Sequence, residues 1–94
     1  RDFRLPVDRS FSMKGFGTVV TGTLQTGTVR IDDELEAHPG GVRCRVRGIQ
    51  VHGKAADRAR AGERTALNLA GVEAADLRRG MVLAPAGLFQ PSQV

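Results

Sequence analysis

The apolar residues of this chain fall in short runs, rich in Val, Ile, Thr and Leu, that are separated by twelve glycines. No stretch keeps apolar residues at the 3.6-residue spacing of an amphipathic helix for long enough to form a substantial one. Within the runs, apolar and polar residues alternate with a period of two, which is typical of strands with one buried face. The pattern predicts an all-β fold of about six or seven short strands in a closed or nearly closed barrel.

The alternation also places individual strands. Phe3, Leu5 and Val7 give the first strand one apolar face, and Pro6 indicates a sheet edge or a bulge. Glycines beside the second predicted strand permit the sharp bends that close small barrels. The second strand covers residues 18–24, later strands cover 65–70 and 81–84, and one short helical turn covers 72–77.

Pro39-Gly40-Gly41 is the strongest turn signal in the chain, and it precedes a strand with two different faces. The apolar face holds Val42, Cys44 and Val46, and the opposite face holds Arg43, Arg45 and Arg47. After Gly48 the apolar positions shift by one residue. Because side chains alternate along a strand, the shift predicts a β-bulge at Gly48 that re-aims Gln50 and His52.

Length and composition limit the kind of protein that this chain can be. With 94 residues the chain forms one domain, and no apolar run approaches the roughly 20 residues of a membrane helix. Its single cysteine, Cys44, excludes an internal disulfide and favours a buried thiol in a reducing cytoplasm. The N-terminus lacks a secretory signal and begins within a strand pattern, so we expect a segment of a larger protein. A net charge of +4 favours polyanionic partners, although many proteins that bind no nucleic acid carry a similar charge.

Motifs for catalysis are missing from the sequence. No Gly-x-x-x-x-Gly-Lys-Ser/Thr loop occurs, so this segment is not itself the nucleotide-binding part of a P-loop GTPase. His38, His52 and Cys44 are not spaced as metal ligands, and the serines lie in no nucleophile motif. We therefore expect a binding module without a catalytic site, a metal or a cofactor of its own.

One segment carries a specific signature. Residues 11–22, Phe-Ser-Met-Lys-Gly-Phe-Gly-Thr-Val-Val-Thr-Gly, resemble the F-x-x-x-G-x-G-T-V-x-T-G pattern in the second domain of translational GTPases such as elongation factor Tu. Residues 48–52, 61–62 and 79–84 resemble three further segments of that domain, in the same order. Residues 3–11 and 61–71 are more similar to the selenocysteine-specific elongation factor of bacteria. Asp32 departs from the family by replacing a turn glycine, a position where Asp tolerates the left-handed backbone region.

The resemblance implies a small closed antiparallel barrel of six to seven strands, with a core over about residues 3–84 and a linker over 85–94. The whole protein is then a cytoplasmic GTPase that binds GTP and Mg²⁺ in another domain. Its partners are selenocysteyl-tRNA, its own GTPase and third domains, and the ribosome, and none is a membrane. Two alternatives remain: a general aminoacyl-tRNA carrier or initiation factor, which would have a neutral or acidic residue in place of Arg64, and a scaffold barrel that relays the nucleotide state.

The resemblance also assigns roles to residues. Asp8, Arg9 and Arg64 are placed beside the selenocysteyl side chain, where two guanidinium groups favour a selenolate over a neutral serine hydroxyl. Asp8 either holds the arginines or accepts a hydrogen bond from the α-amino group. Around the terminal adenosine the resemblance places Met13, Val19, Thr21, Gln50 and Asn68. Met13 and Val19 are equally compatible with a plain core role, and Arg43, Arg45 and Arg47 either contact RNA phosphates or form a solvated strand edge.

Overall fold

A computed structural model describes residues 2–87, and in this range the chain is built almost entirely from antiparallel strands. A single turn of 3₁₀ helix, Ala74–Asp76, lies inside the predicted helical segment. The strands are β1 Leu5–Pro6, β2 Arg9–Met13, β3 Gly17–Thr23, β4 Thr28–Arg30, β5 Glu34–His38, β6 Val42–Val51, β7 Lys54–Ala56, β8 Arg58–Arg60, β9 Arg64–Ala70 and β10 Val82–Pro85. The predicted all-β class is confirmed.

The main sheet has eight strands and runs in the order β1-β10-β5-β6-β9-β3-β2, with β7 paired to β6. Strands β4 and β8 form a separate pair. The two ends of the order, β1 and β2, follow each other in the chain with only residues 7 and 8 between them. β1 pairs with β10 and β2 pairs with β3, so this short segment connects the two ends of the sheet. Val7 N donates to Met81 O at 2.8 Å, and Asp8 N donates to Thr21 O at 2.8 Å. We call this pair of contacts the seam.

The core lies on the side of the sheet that receives the alternating apolar residues. Phe3, Leu5 and Val7 are all buried, as their alternation predicted. Six leucines are fully buried at the centre: Leu5, Leu24, Leu35, Leu67, Leu77 and Leu83. Gly22 on β3 has no room for a side chain, because a Cβ there would lie 2.2 Å from the carbonyl oxygen of Pro6.

The predicted bulge is present on β6. Val46 pairs with Leu69 and Gly48 pairs with Asn68, so Arg47 is the extra residue without a Cα partner on β9. Bulges of this kind bend the strand and re-aim side chains. Asp32 has a φ of 75°, which agrees with its expected left-handed turn position.

The strand count differs from the prediction, with ten strands among residues 2–87 instead of six or seven. The predicted first strand covers β1 only, and the chain forms β2 directly after it. Strands β4, β7 and β8 have three residues each, too few for alternation to mark them. The linker was expected from residue 85, but Pro85 is the last residue of β10, and Ala86 N just after it donates to Glu34 O at 3.0 Å. Its remainder, from residue 88, lies outside the described residues.

Cys44 is buried, as predicted, and burial raises the pKa of its thiol from the ordinary 9.0 to about 11. In the unfolded chain the thiol therefore ionises first as the pH rises. Stability is unaffected below pH of about 9 and declines as the pH rises from about 9 to about 11. We expect the guanidinium denaturation midpoint to fall across this window, and to fall less in Cys44→Ala. An equal fall in both proteins would contradict a role for this thiol.

Candidate nucleic-acid interface

A groove of about 500 Å³ lies on the outer face of the sheet, across β2, β3, β9, β6 and β7. The register explains why its residues share a face. Val19 on β3 lies between Phe11 on β2 and Asn68 on β9. In the next row with the same orientation, Ala66 on β9 pairs with both Thr21 and Gln50. We call this concavity the outer groove.

All five residues that the sequence assigned to the adenosine line the outer groove: Met13, Val19, Thr21, Gln50 and Asn68. Val19 is only 8% exposed, but it lies outside the main core cluster and faces the outer groove. Met13 is exposed and is not a core residue. The structure thus brings the five side chains together, whatever their ligand.

Two aromatic residues of the outer groove were not anticipated. Phe11 lies on β2 and Phe16 in the turn between β2 and β3, and both line the outer groove. Phe16 is 62% exposed, which is unusual for so large an apolar side chain. The sequence could have indicated Phe11, because it lies two residues before Met13 and so shares its strand face. It could also have indicated Phe16, because this is one of only four phenylalanines and lies between two glycines.

The polar groups of the outer groove differ in what they have available. Asn68 donates its side-chain amide to the carbonyl oxygens of Phe16 and Thr18, the latter at 3.1 Å, so its free capacity is that of the acceptor Oδ1. The hydroxyl Oγ1 of Thr21 is buried and has no hydrogen-bond partner among residues 2–87. Gln50 is exposed, and its side chain bonds to no other described residue. Gln50 is therefore available to a ligand, whereas the hydroxyl of Thr21 would first have to turn towards the outer groove.

The predicted selenocysteyl site divides into two parts. Arg64 Nη1 and Asp8 Oδ2 lie 2.7 Å apart, and both side chains are about half exposed. Arg64 lies two residues before Ala66 on the same face of β9, so this pair adjoins the outer groove. Arg9 makes no ion pair with Asp8, and its guanidinium carbon lies 5.6 Å from the centroid of the Phe11 ring. Of the two arginines, Asp8 therefore pairs with Arg64 alone.

The arginine face of β6 is not uniform. Arg43 Nε lies 2.9 Å from Glu36 Oε2, and Arg45 Nη2 lies 2.9 Å from Glu34 Oε2. Arg47 forms no ion pair with any of the described residues and lines the outer groove. All three arginines are thus exposed, but within the described range only Arg43 and Arg45 are ion-paired. The expected strand edge is wrong, because β6 pairs with β5 on one side and with β9 on the other.

Two features of other kinds of site are missing from residues 2–87. No group of three or more His, Cys, Asp or Glu side chains in this range is arranged to hold a metal ion. In the same range, no helix is long and apolar enough to cross a lipid bilayer. The outer groove and the adjoining Asp8–Arg64 pair are accordingly the candidate site.

Comparison with known proteins places the fold in a family. The family described as elongation factor Tu domain 2 matches residues 17–84. The chain is 61% identical over 92 residues to the selenocysteine-specific elongation factor of Desulfomicrobium baculatum, covering 98% of this chain and 14% of that protein.

Two solved structures resemble the fold closely. A bacterial selenocysteine-specific elongation factor, EF-Sec, has a TM-score of 0.85 and 41% identity, covering 90% of this chain and 15% of its own. Translation elongation factor SelB from Methanococcus maripaludis, in its apo form, has a TM-score of 0.84 and 39% identity, and the match covers 90% of this chain and 19% of that one. The resemblance found in the sequence is confirmed, and the chain belongs to the elongation factor Tu domain 2 family.

Proposed function

We propose that this chain is the second domain of a selenocysteine-specific translational GTPase, and that it holds the aminoacyl end of selenocysteyl-tRNA for delivery to the ribosome. The observation that carries the proposal is the outer groove, which gathers all five expected adenosine residues beside the Asp8–Arg64 pair. The similarity to selenocysteine-specific factors supports the choice of amino acid.

The terminal adenosine suits the chemistry of the outer groove. Its base is a flat, largely apolar ring, and Phe11, Val19 and Phe16 offer apolar surface to cover it. The ribose hydroxyls supply donors and acceptors, which match the exposed amide of Gln50. The hydroxyl of Thr21, which has no partner among residues 2–87, could join them if it turned towards the outer groove.

The charge balance beside the outer groove suits a selenolate. Arg9 and Arg64 carry two positive charges and Asp8 carries one negative charge, which leaves one net positive charge. A guanidinium has five N–H donors, so Arg64 retains donors for an anion while Asp8 fixes its orientation. A neutral serine hydroxyl would leave this charge uncompensated once the site closes.

We further infer that the sheet is closed into a barrel through the seam, and that the domain acts within a cytoplasmic protein. In that protein, GTP and Mg²⁺ bind to a separate GTPase domain, and a third domain completes the contact with tRNA. The chain itself is a binding module, so the other face of the aminoacyl site is contributed by the GTPase domain.

A test of the proposal uses the full-length protein that contains this chain, with a GTP analogue bound. We expect Gln50→Ala to weaken selenocysteyl-tRNA binding by about 1 kcal/mol, because a hydrogen bond to the ribose is lost. Gln25→Ala is the matched control, since Gln25 is also exposed and does not line the outer groove. Equilibrium binding to fluorescent tRNA measures both.

The assignment to the ribose is tested with tRNA that ends in 2′-deoxyadenosine. If Gln50 bonds to the 2′-hydroxyl, wild type and Gln50→Ala will bind this tRNA with nearly equal affinity. An unchanged difference between the two proteins would place Gln50 elsewhere. Wild-type protein that binds selenocysteyl-tRNA no better than uncharged tRNA would refute the proposed function itself.

A further inference from the structure

We propose that Arg47 binds a backbone phosphate at the single-stranded 3′ end of the tRNA, next to the nucleotide held in the outer groove. The inference rests on the proposed function and extends it to a second contact, made with the RNA backbone. Its basis is the position, the partners and the surroundings of Arg47.

The position of Arg47 follows from the bulge. Strict alternation puts the side chains of Arg43, Arg45 and Arg47 on one face of β6. At Arg47 the strand has one residue more than β9, and the side chain is re-aimed to the margin of the outer groove. It lies there beside Gly48, the residue that pairs with Asn68.

Among the described residues, Arg43 and Arg45 form ion pairs and Arg47 does not, because β5 begins at Glu34. Glu34, the first residue of β5, pairs in register with Arg45, and Glu36 pairs with Arg43. Each glutamate forms an ion pair with the arginine opposite. Arg47 lies two residues beyond the register of Glu34, and the residue two before Glu34 is Asp32, which lies in the turn ahead of β5 with a φ of 75° and forms no ion pair with Arg47. Its guanidinium is therefore not committed to another group of the fold.

The surroundings of Arg47 favour a nucleotide. Among the described residues that line the outer groove, Arg47 is the one charged side chain. Apolar walls with a single guanidinium at the margin match a base attached to a phosphodiester. Arginine binds phosphate through two parallel N–H donors, which adds direction as well as attraction. An unpaired arginine makes this contact without first breaking an ion pair, as Arg43 or Arg45 would have to.

The experiment compares Arg47→Gln with Arg45→Gln in the full-length protein. The two variants lose the same charge from the same face of the same strand, so the long-range electrostatic field changes alike. We expect Arg47→Gln to weaken selenocysteyl-tRNA binding by about fivefold to tenfold at low salt, and to lower the slope of log affinity against log salt by about 0.7. Arg45→Gln is expected to leave that slope nearly unchanged.

A neutral methylphosphonate between the last two nucleotides locates the contact. If Arg47 binds that phosphate, the modified tRNA will lose affinity for wild type but not for Arg47→Gln. The same loss for both proteins, an unchanged salt slope in Arg47→Gln, or equal slopes for the two variants would overturn the inference. None of these outcomes removes the preference of wild type for charged tRNA, so they are distinct from failure of the proposed function.

Discussion

Replacing Arg64 with alanine should weaken the complex with selenocysteyl-tRNA by about 2 kcal/mol, roughly thirtyfold, and change the complex with seryl-tRNA little. The guanidinium is expected to bond to the selenolate, which is charged, whereas the serine hydroxyl is neutral. The side chain is 48% exposed in this domain, and its interaction gains strength only when the site is closed around the ligand. The measurement is the ratio of the two dissociation constants on one tRNA body.

Arg58→Ala is a matched control for this change. Arg58 is likewise an arginine in an ion pair, with Asp57, and its side chain is 43% exposed, but it lies on β8 and does not line the outer groove. We expect it to leave both affinities nearly unchanged. If Arg64→Ala weakened both complexes alike, or neither, selectivity for selenocysteine would lie outside this domain, and the barrel would act as a general tRNA clamp or a scaffold.

Replacing Gly22 with alanine should destabilise the fold by about 3 kcal/mol, at the upper end of the usual cost of overpacking. The new Cβ would lie 2.2 Å from the carbonyl oxygen of Pro6 and 3.2 Å from Cδ1 of Leu5. Neither neighbour is free to move, because the oxygen of Pro6 belongs to the backbone of β1 and the side chain of Leu5 is fully buried. The denaturation midpoint of the 94-residue chain in guanidinium chloride measures the loss.

Gly48→Ala provides the comparison within the same sheet. Gly48 is also a strand glycine, and a Cβ there would meet Cβ of Asn68 at 3.5 Å, which is an ordinary contact. We expect its midpoint to remain close to that of wild type. Equal losses in the two variants would rule out the approach of Pro6 as the cause, because the entropy that the unfolded chain loses on replacing glycine with alanine would stabilise both variants.

Periodicity anticipated the elements whose alternation extends over several residues. The phase shift at Gly48 predicted the bulge because a strand cannot change its buried face without an extra residue. Three-residue strands such as β7 and β8 carry no such signal, since three residues are too few to establish a period of two. Their pairing depends on neighbours that are distant in sequence.

The site was anticipated only in part, for a similar reason. The resemblance named five residues of the outer groove and offered Asp8 as a partner of both arginines, but it did not indicate that Asp8 would pair with Arg64 alone while Arg9 lies over Phe11. Nor did three arginines at equal spacing indicate that Arg47, alone of the three, would lack an acidic partner among residues 2–87. That difference arises from the register of β5 against β6, which brings glutamates to Arg43 and Arg45 and ends before Arg47. Side-chain pairing across strands is a property of tertiary structure.

The seam has a thermodynamic consequence for the amino-acid site. Asp8 belongs to the segment that joins the two ends of the sheet, whereas Arg64 belongs to β9, which is paired on both sides. A ligand that touches both residues would therefore bridge the seam and an interior strand of the sheet. By linkage, binding would stabilise the seam, and a change that opens the seam would weaken binding to the extent that the open form becomes populated. In the proposed arrangement, binding of the amino acid and closure of the seam are therefore coupled.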